Sequence, residues 1–355
     1  MNSPIRNQFI NPNPELGAGA AAGIGEGIVA GISGVATGTA GGAVVGSSIP
    51  LFLCYADKFT ISSLCVNMQE GNIIYPKSSP PYVADYQNYV VSLFRKLAPS
   101  GYMVAINVAM PLLIQRLIRV GINYEHTLVR SGGRDSDGAV FGSIPVLDAE
   151  SERYMIRLVN QLSLSRCNII IDYSIPNILN VQSSKHYSVI ASKHVYIAPA
   201  LYPVVWNLQG RTIDILTTFL DLNVTRRKMF LGVCTNVSNC FTANEICSLY
   251  QRTKVLINVH QTDEHHTVEE LRVLPAIQNG VIVVCEDSPL KYTIPYHSLI
   301  VWSKYENMLE TARRVLESYE ETWNGIFTES NKKLILSLHE ANLNRLRDNL
   351  RANVE

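Results

Sequence analysis

An excess of charge of either sign, a paired cysteine pattern and a conventional signal sequence are all missing from this chain. Thirty Lys and Arg balance thirty Asp and Glu over 355 residues, a formal net charge of zero. Nucleic-acid binders carry a basic surplus, so no nucleic-acid partner is expected. The seven cysteines are odd in number and include no CxxC pair or metal-ligand spacing. A disulfide framework and a zinc ribbon are thereby excluded, and the thiols read as reduced, in a cytoplasmic compartment. Residues 1–14 lack the basic start and compact apolar segment of a signal peptide. Disorder throughout is ruled out because 47% of the residues are hydrophobic and only 17% charged, enough for a real core.

Glycine is concentrated rather than scarce. Half of the 22 glycines lie between Gly17 and Gly46, and no charged residue occurs from Gly27 to Ala56. Gly19, Gly23, Gly27 and Gly31 are spaced by four, as are Gly34, Gly38, Gly42 and Gly46. On helices that spacing gives one small-residue face suited to membrane packing. Glycine costs about 1 kcal/mol per helical position relative to alanine, which favours a flexible leader over residues 1–48. Membrane association through residues 17–46 is the alternative. The run Gly17-Ala-Gly19-Ala-Ala-Ala-Gly23 imitates a dinucleotide fingerprint but lacks the strand that must precede one.

From Ile49 onward the pattern is α/β. Tyr102 to Asn107 reads as a strand, Pro111 to Val120 as a short helix, Ala149 to Leu164 as a helix and Cys167 to Ile171 as a strand. Ser131 to Gly138 reads as a loop. In the second half Lys228 to Val233 is a strand candidate. Thr242-Ala-Asn-Glu245 is a capping box opening a helix to about Arg252. Lys254 to Val259 is a strand, and His260 to His266 is a polar loop. Thr267-Val-Glu-Glu270 suggests a second capping box, on a helix that stops at Asn279-Gly280. Val281 to Cys285 closes the series. Strand–helix–strand–helix–strand with short connections implies a parallel sheet.

In such a sheet ligands bind where the strands' carboxyl ends collect the outgoing loops. One edge therefore gathers Asn258, His260, His265, His266 and Thr267 with Glu286 and Asp287. A helix N-terminus there suits a phosphate or diphosphate. His260 is the candidate catalytic group. Asp172, after the strand ending at Ile171, is the candidate on the first-half side. The histidine spacing from His260 to His266 matches no standard zinc pattern, so no metal is expected. Arg226-Arg227-Lys228 reads as a solvated basic turn, and Arg211 as a residue outside the site.

The segments Thr253-Lys-Val-Leu-Ile-Asn-Val-His260 and Glu269-Glu-Leu-Arg-Val-Leu-Pro-Ala-Ile-Gln-Asn-Gly280-Val-Ile-Val-Val-Cys-Glu286 resemble GT-B glycosyltransferases. More narrowly, they are similar to the spore-maturation-protein-like branch, with forms in large DNA viruses and microbial polysaccharide clusters. The resemblance implies two Rossmann-like domains with parallel sheets, at about residues 49–205 (acceptor) and 206–327 (nucleotide-sugar), followed by a helix over 328–355. It also implies a nucleotide-sugar donor, a glycan, lipid or protein acceptor, and catalysis without cofactor or metal. Arg272 matches a basic position of the family's helix. Pro275 stands where many members carry a ribose-binding glutamate, which leaves Glu269, Glu270 or Glu286 for that contact. A glycosyltransferase is the leading expectation; a non-catalytic glycan- or nucleotide-binding relative is the alternative that Pro275 favours.

Overall fold

The computed structural model describes residues 67–108, 114–131, 138–140, 154–219, 224–240, 242–260 and 267–354. The leader, the loop after Ser131, His265 and His266 lie outside the described residues. The described residues all fall in one compact unit.

The first sheet begins with a hairpin, β1 (Asn67–Glu70) and β2 (Ile73–Pro76), that leads into helix α1 (Pro81–Leu97). Proline at the first helical position starts α1, since its missing N–H has no partner to lose there. Val83, Tyr86, Val90 and Phe94 recur at helical spacing and bury one face. Then follow β3 (Met103–Ile106), β4 (Leu117–Asn123), a small ribbon of β5 (Leu128–Arg130) and β6 (Tyr154–Ile156), α2 (Gln161–Ser165), β7 (Ile169–Asp172), α3 (Ile175–Gln182), α4 (Ser188–Ala191) and β8 (His194–Tyr196). The strand order is β1-β2-β3-β4-β7-β8, parallel except for the β1–β2 pair.

The second sheet is built from β9 (Ile213–Thr217), β10 (Thr235–Asn236), α5 (Ala243–Gln251), β11 (Thr253–Asn258), α6 (Glu270–Gln278), β12 (Ile282–Glu286) and β13 (Ile300–Ser303). Its order is β10-β9-β11-β12-β13 and every pair is parallel. The architecture is thus α/β with two parallel sheets. Helices α7 (Met308–Glu317), α8 (Tyr319–Ile326) and α9 (Glu329–Val354) complete the chain. Helix α9 serves both cores: Ile335 and Leu338 pack with the second sheet, Leu346 and Leu350 with the first. Between them the fully buried Asn342 grips the main chain of Ala198, its Oδ1 accepting at 2.9 Å and its Nδ2 donating at 2.8 Å. No helix among the described residues is long and apolar enough to cross a membrane.

Several sequence expectations need correction. Within 111–120, residues 117–120 belong to β4: Ile118, Val120 and Ile122 bury alternate positions, a strand period that short apolar runs disguise. Of the helix expected over 149–164, residues 149–153 lie outside the described residues, and the rest is instead β6 and, after Asn160 at φ 61, the short α2. Lys228 to Val233 is not a strand: Thr225–Phe230 is a 3-10 turn, and the strand beside β11 is β9. The capping box at Thr242 forms, its Oγ1 accepting from Glu245 N and Glu245 answering Thr242 N. The one expected at Thr267 does not form. Helix α6 starts with Glu269 as its cap residue and has no side-chain cap, because the Glu270 carboxyl is engaged by Tyr296.

Candidate functional site

Asp172 ends β7 and is completely buried. Its Oδ2 accepts from Asn123 Nδ2 at 2.8 Å, and its Oδ1 accepts from Ser174 N at 3.0 Å and Asn177 Nδ2 at 3.2 Å. His194 Nδ1 lies 3.6 Å from Oδ2. Both carboxylate oxygens therefore work inward, bracing the loops that leave β4 and β7. The β4 loop carries Glu125, His126 and Thr127. Thr127 is anchored on Asn177, whose Oδ1 accepts from the threonine N and Oγ1 at 3.2 and 3.0 Å. That anchoring aims His126 at the second sheet, where its Nε2 is 3.9 Å from Glu269 Oε1. Sequence reasoning missed His126 because the strand before it read as a helix.

On the second sheet, Asn258 at the end of β11 is completely buried and links two charged neighbours. Its Nδ2 donates to Glu269 Oε2 at 2.8 Å, and its Oδ1 accepts from Arg272 at 3.0 Å. The β11–β12 register sets Asn258 beside Cys285, and the same amide reaches the Cys285 Sγ at 3.3 Å. Burial alone would push the Glu269 carboxyl up. His260, His126 and Arg272 together with the Asn258 amide outweigh it and hold the group below its ordinary value. Burial pushes the His126 imidazole down, helped by His260 and Arg272 and opposed by Glu269 and Asp172.

His260 lies two residues beyond the end of β11 and has no exposed surface. Its N–H donates to Glu286 Oε2 at 2.9 Å, and its Nε2 is 3.3 Å from the Asp287 carbonyl. Glu286 is held by a bidentate pair with Arg226, at 2.9 and 2.5 Å. The Arg226 guanidinium stacks 4.1 Å from the Tyr305 ring centre, and Tyr305 OH donates back to the Arg226 carbonyl at 2.9 Å. The solvated basic turn is thus overturned for Arg226 and Arg227, which are 9% and 7% exposed. Planar Arg–carboxylate pairing and aromatic stacking draw Arg226 inward. Asp287 is exposed and pairs with Lys291 at 2.6 Å. Thr267 is completely buried, its Oγ1 without a hydrogen-bond partner among the described residues.

Arg211 bonds none of these site residues, but it is not the inert residue that lying outside the motif suggested. Its guanidinium donates to the carbonyls of Asn207 (2.8 Å), Tyr250 (3.0 Å), Thr253 (2.5 Å) and Asn279 (2.7 Å). It gathers the ends of α5 and α6, a structural clamp rather than a bystander. Pro275 lies inside α6, where it removes one helical donor, and Asn279 Nδ2 donates to its carbonyl at 2.9 Å.

The carboxyl edges of both parallel sheets thus meet over one polar cluster, His126 from the first and Asn258, His260, Glu269 and Arg272 from the second. It combines a carboxylate, a guanidinium, two imidazoles and the N-terminus of α6. Such a set can bind an anion beside hydroxyl groups, and His126, which burial favours as the neutral imidazole, can accept a proton. Among the described residues no three His, Cys, Asp or Glu side chains group as metal ligands.

No family model matches the chain. An uncharacterized protein of Acanthamoeba polyphaga mimivirus is 23% identical over 189 residues, which is 51% of this chain and 65% of that protein. The solved structure of TarM is similar at a TM-score of 0.41 and 10% identity, covering 74% of this chain and 57% of that one. A chain of the GtfA/B complex is similar at a TM-score of 0.33 and 8% identity, covering 81% and 61%. The chain therefore spans less than two thirds of the length of each of these proteins, and the fold assignment rests on the strand order and register above.

Proposed function

We propose that the protein is a glycosyltransferase that moves a sugar from a nucleotide-sugar donor to a glycan, lipid or protein acceptor. The observation carrying this reading is the polar cluster shared by the carboxyl edges of two parallel sheets, beside the N-terminus of α6. The acceptor hydroxyl oxygen forms a bond to the anomeric carbon while the bond from that carbon to the diphosphate oxygen breaks. The electron pair departs with the diphosphate, and the hydroxyl proton passes to a base. Arg272, His260 and the α6 N–H groups offset the charge that develops on the diphosphate, so the step calls for no metal. His126, which burial favours as the neutral imidazole, is the first-sheet group facing the cluster that can accept a proton. Asp172 positions that face rather than reacting, since its oxygens are occupied. Glu269 is the carboxylate for donor hydroxyls, because Glu286 is bound to Arg226.

Calorimetric titration with nucleoside diphosphates, followed by assay of nucleotide release from a sugar-nucleotide panel, tests the reading. Arg272→Ala is expected to weaken diphosphate binding by roughly ten- to two-hundred-fold, the loss of one hydrogen bond to a charged group. Binding without turnover would favour a non-catalytic nucleotide-binding relative, the reading that Pro275 in α6 supports. Absence of binding to every nucleotide would end the transferase reading and favour a non-catalytic, glycan-binding relative.

A further inference from the structure

Glu270 is the other carboxylate of the α6 N-terminus, and it faces a different environment from Glu269. It is completely buried. Tyr296, also completely buried and on the second-sheet side, donates its hydroxyl to Glu270 Oε2 at 2.7 Å. From the first sheet come Ser174, the cap residue of α3, and Tyr196, the last residue of β8. Both hydroxyls bear on the Glu270 carboxyl, yet neither completes a hydrogen bond in this arrangement. Ser174 Oγ, Tyr196 OH and Glu270 Oε1 are three buried polar atoms without a hydrogen-bond partner among the described residues, and both hydroxyls act on the Glu270 carboxyl where the two sheets meet. Asp172 is the nearby charge of the same sign, and Arg345 of α9 lies over the Tyr196 ring at 5.1 Å. On α6 itself, Glu269 and Arg272 face the cluster around Asn258 instead.

We propose that Glu270 is a proton-operated latch: as a neutral carboxyl it holds α6 against Ser174 and Tyr196 of the first sheet, and its ionisation loosens that junction. A neutral carboxyl can donate as well as accept, so it serves an acceptor among these hydroxyls while taking the Tyr296 proton. An ionised one would add a second buried negative charge near Asp172. Burial, reinforced by Asp172, pushes the Glu270 carboxyl up to about 8, against the Tyr296, Ser174 and Tyr196 hydroxyls, which pull it down. In an opened junction Glu270 meets water and returns toward its ordinary value. The closed form therefore binds the proton more tightly, and the protonation contribution to closure is fully present below about pH 4.5. It weakens about tenfold per pH unit toward pH 8 and then levels, the slope of one proton. The adjacent Glu269 stays ionised throughout that window, so one helix turn presents a charged carboxylate to the cluster and a neutral one to the junction. The latch does not require glycosyl transfer; it is a property of the closed fold.

The test uses the full chain. The ¹³C-carboxyl resonance of Glu270, assigned by its loss in Glu270→Gln, should titrate with a midpoint near 8. Amide exchange at Ser174 and Tyr196, taken as a ratio to exchange in β12, should rise about tenfold per pH unit between pH 6 and 8 in the parent. In Glu270→Gln, neutral at every pH, the ratio should be flat. Tyr296→Phe removes a bond that favours the ionised form and should move the midpoint upward, giving a readout if Glu270→Gln fails to fold. A Glu270 midpoint below 6 would overturn the proposal, as would the same pH dependence in Glu270→Gln as in the parent. A Tyr296→Phe midpoint shifted downward would also overturn it.

Discussion

The two parallel sheets sit in one compact unit but hold their ligand edges together by different means. In the second, the core is a run of branched side chains, Val255 to Ile257 and Val281 to Val284, that are fully buried on adjacent parallel strands. Arg211 and the Thr242 cap finish its helix ends, and the buried polar groups at its edge are charge-based pairs, Arg226 with Glu286 and Asn258 with Glu269 and Arg272. In the first, the edge depends on an interior polar network: Asp172, Asn123, Asn177 and Thr127 are each at most 3% exposed and bond across β4, β7 and α3. An apolar strand run is local and announces itself. A polar network needs every member present, since one missing partner leaves buried groups unsatisfied.

That contrast can be broken experimentally, and the largest effect is expected at Arg211. Arg211→Ala removes a donor from four carbonyls, those of Tyr250 and Asn279 at the ends of α5 and α6, Thr253 at the start of β11 and Asn207 before β9, and should destabilise the protein by about 3–5 kcal/mol. Denaturant unfolding measures it; an unchanged midpoint would show that solvent replaces the clamp. Gly280→Val comes next. Gly280 has φ +71, and an added Cβ would stand 2.7 Å from the Arg211 guanidinium, itself locked in place. A cost of roughly 2–4 kcal/mol follows from the backbone strain and the clash together. If the substitution acts through Arg211, the double variant with Arg211→Ala should cost less than the sum, read from a double-mutant cycle.

The first sheet is probed at Asn177. Asn177→Ala removes donors to Asp172 and Glu125 and the acceptor for Thr127, an expected loss of about 2–3 kcal/mol. Because this network aims His126, the variant should also weaken nucleoside-diphosphate binding, whereas Gly280→Ala should lower stability with little effect on affinity. Equal effects on affinity would erase the contrast between the two sheets. The smallest change is Thr242→Ala, about 1 kcal/mol for an exposed capping box, with no change in ligand binding.

The same division governs what could be read in advance. β11, α6, β12 and the Thr242 cap were legible within a residue or two, since each is specified by neighbours in sequence. Gly280 was legible as a left-handed turn for the same reason. β4 and β6 were not, because short apolar runs fit a helical or a strand period equally well until a sheet selects one. Of the candidate site residues, Asn258, His260, Glu269 and Arg272 fall together because strand ends and helix starts share one edge in any parallel sheet. Glu286 fell at that edge too, but its partner Arg226 is sixty positions away and looked like surface charge. His126 carried no signal beyond lying after β4.

By itself, then, the sequence determined the α/β class, the parallel sense of the second sheet and the edge on which polar residues collect. Those follow from hydrophobic period, caps and connection length, all of which act over a few residues. Only the tertiary structure decided the chemical state of each group at that edge. Glu269 and Glu270 are consecutive carboxylates on one helix start, and nothing in their order distinguishes them. Arg272, Asn258 and the two histidines keep the first ionised, while burial, reinforced by Asp172, keeps the second protonated against the pull of the Tyr296, Ser174 and Tyr196 hydroxyls. A charge is set by the solvation and the partners around it, and those partners come from β4, β7, β8 and the segment before β13, brought together only when both sheets close on α6.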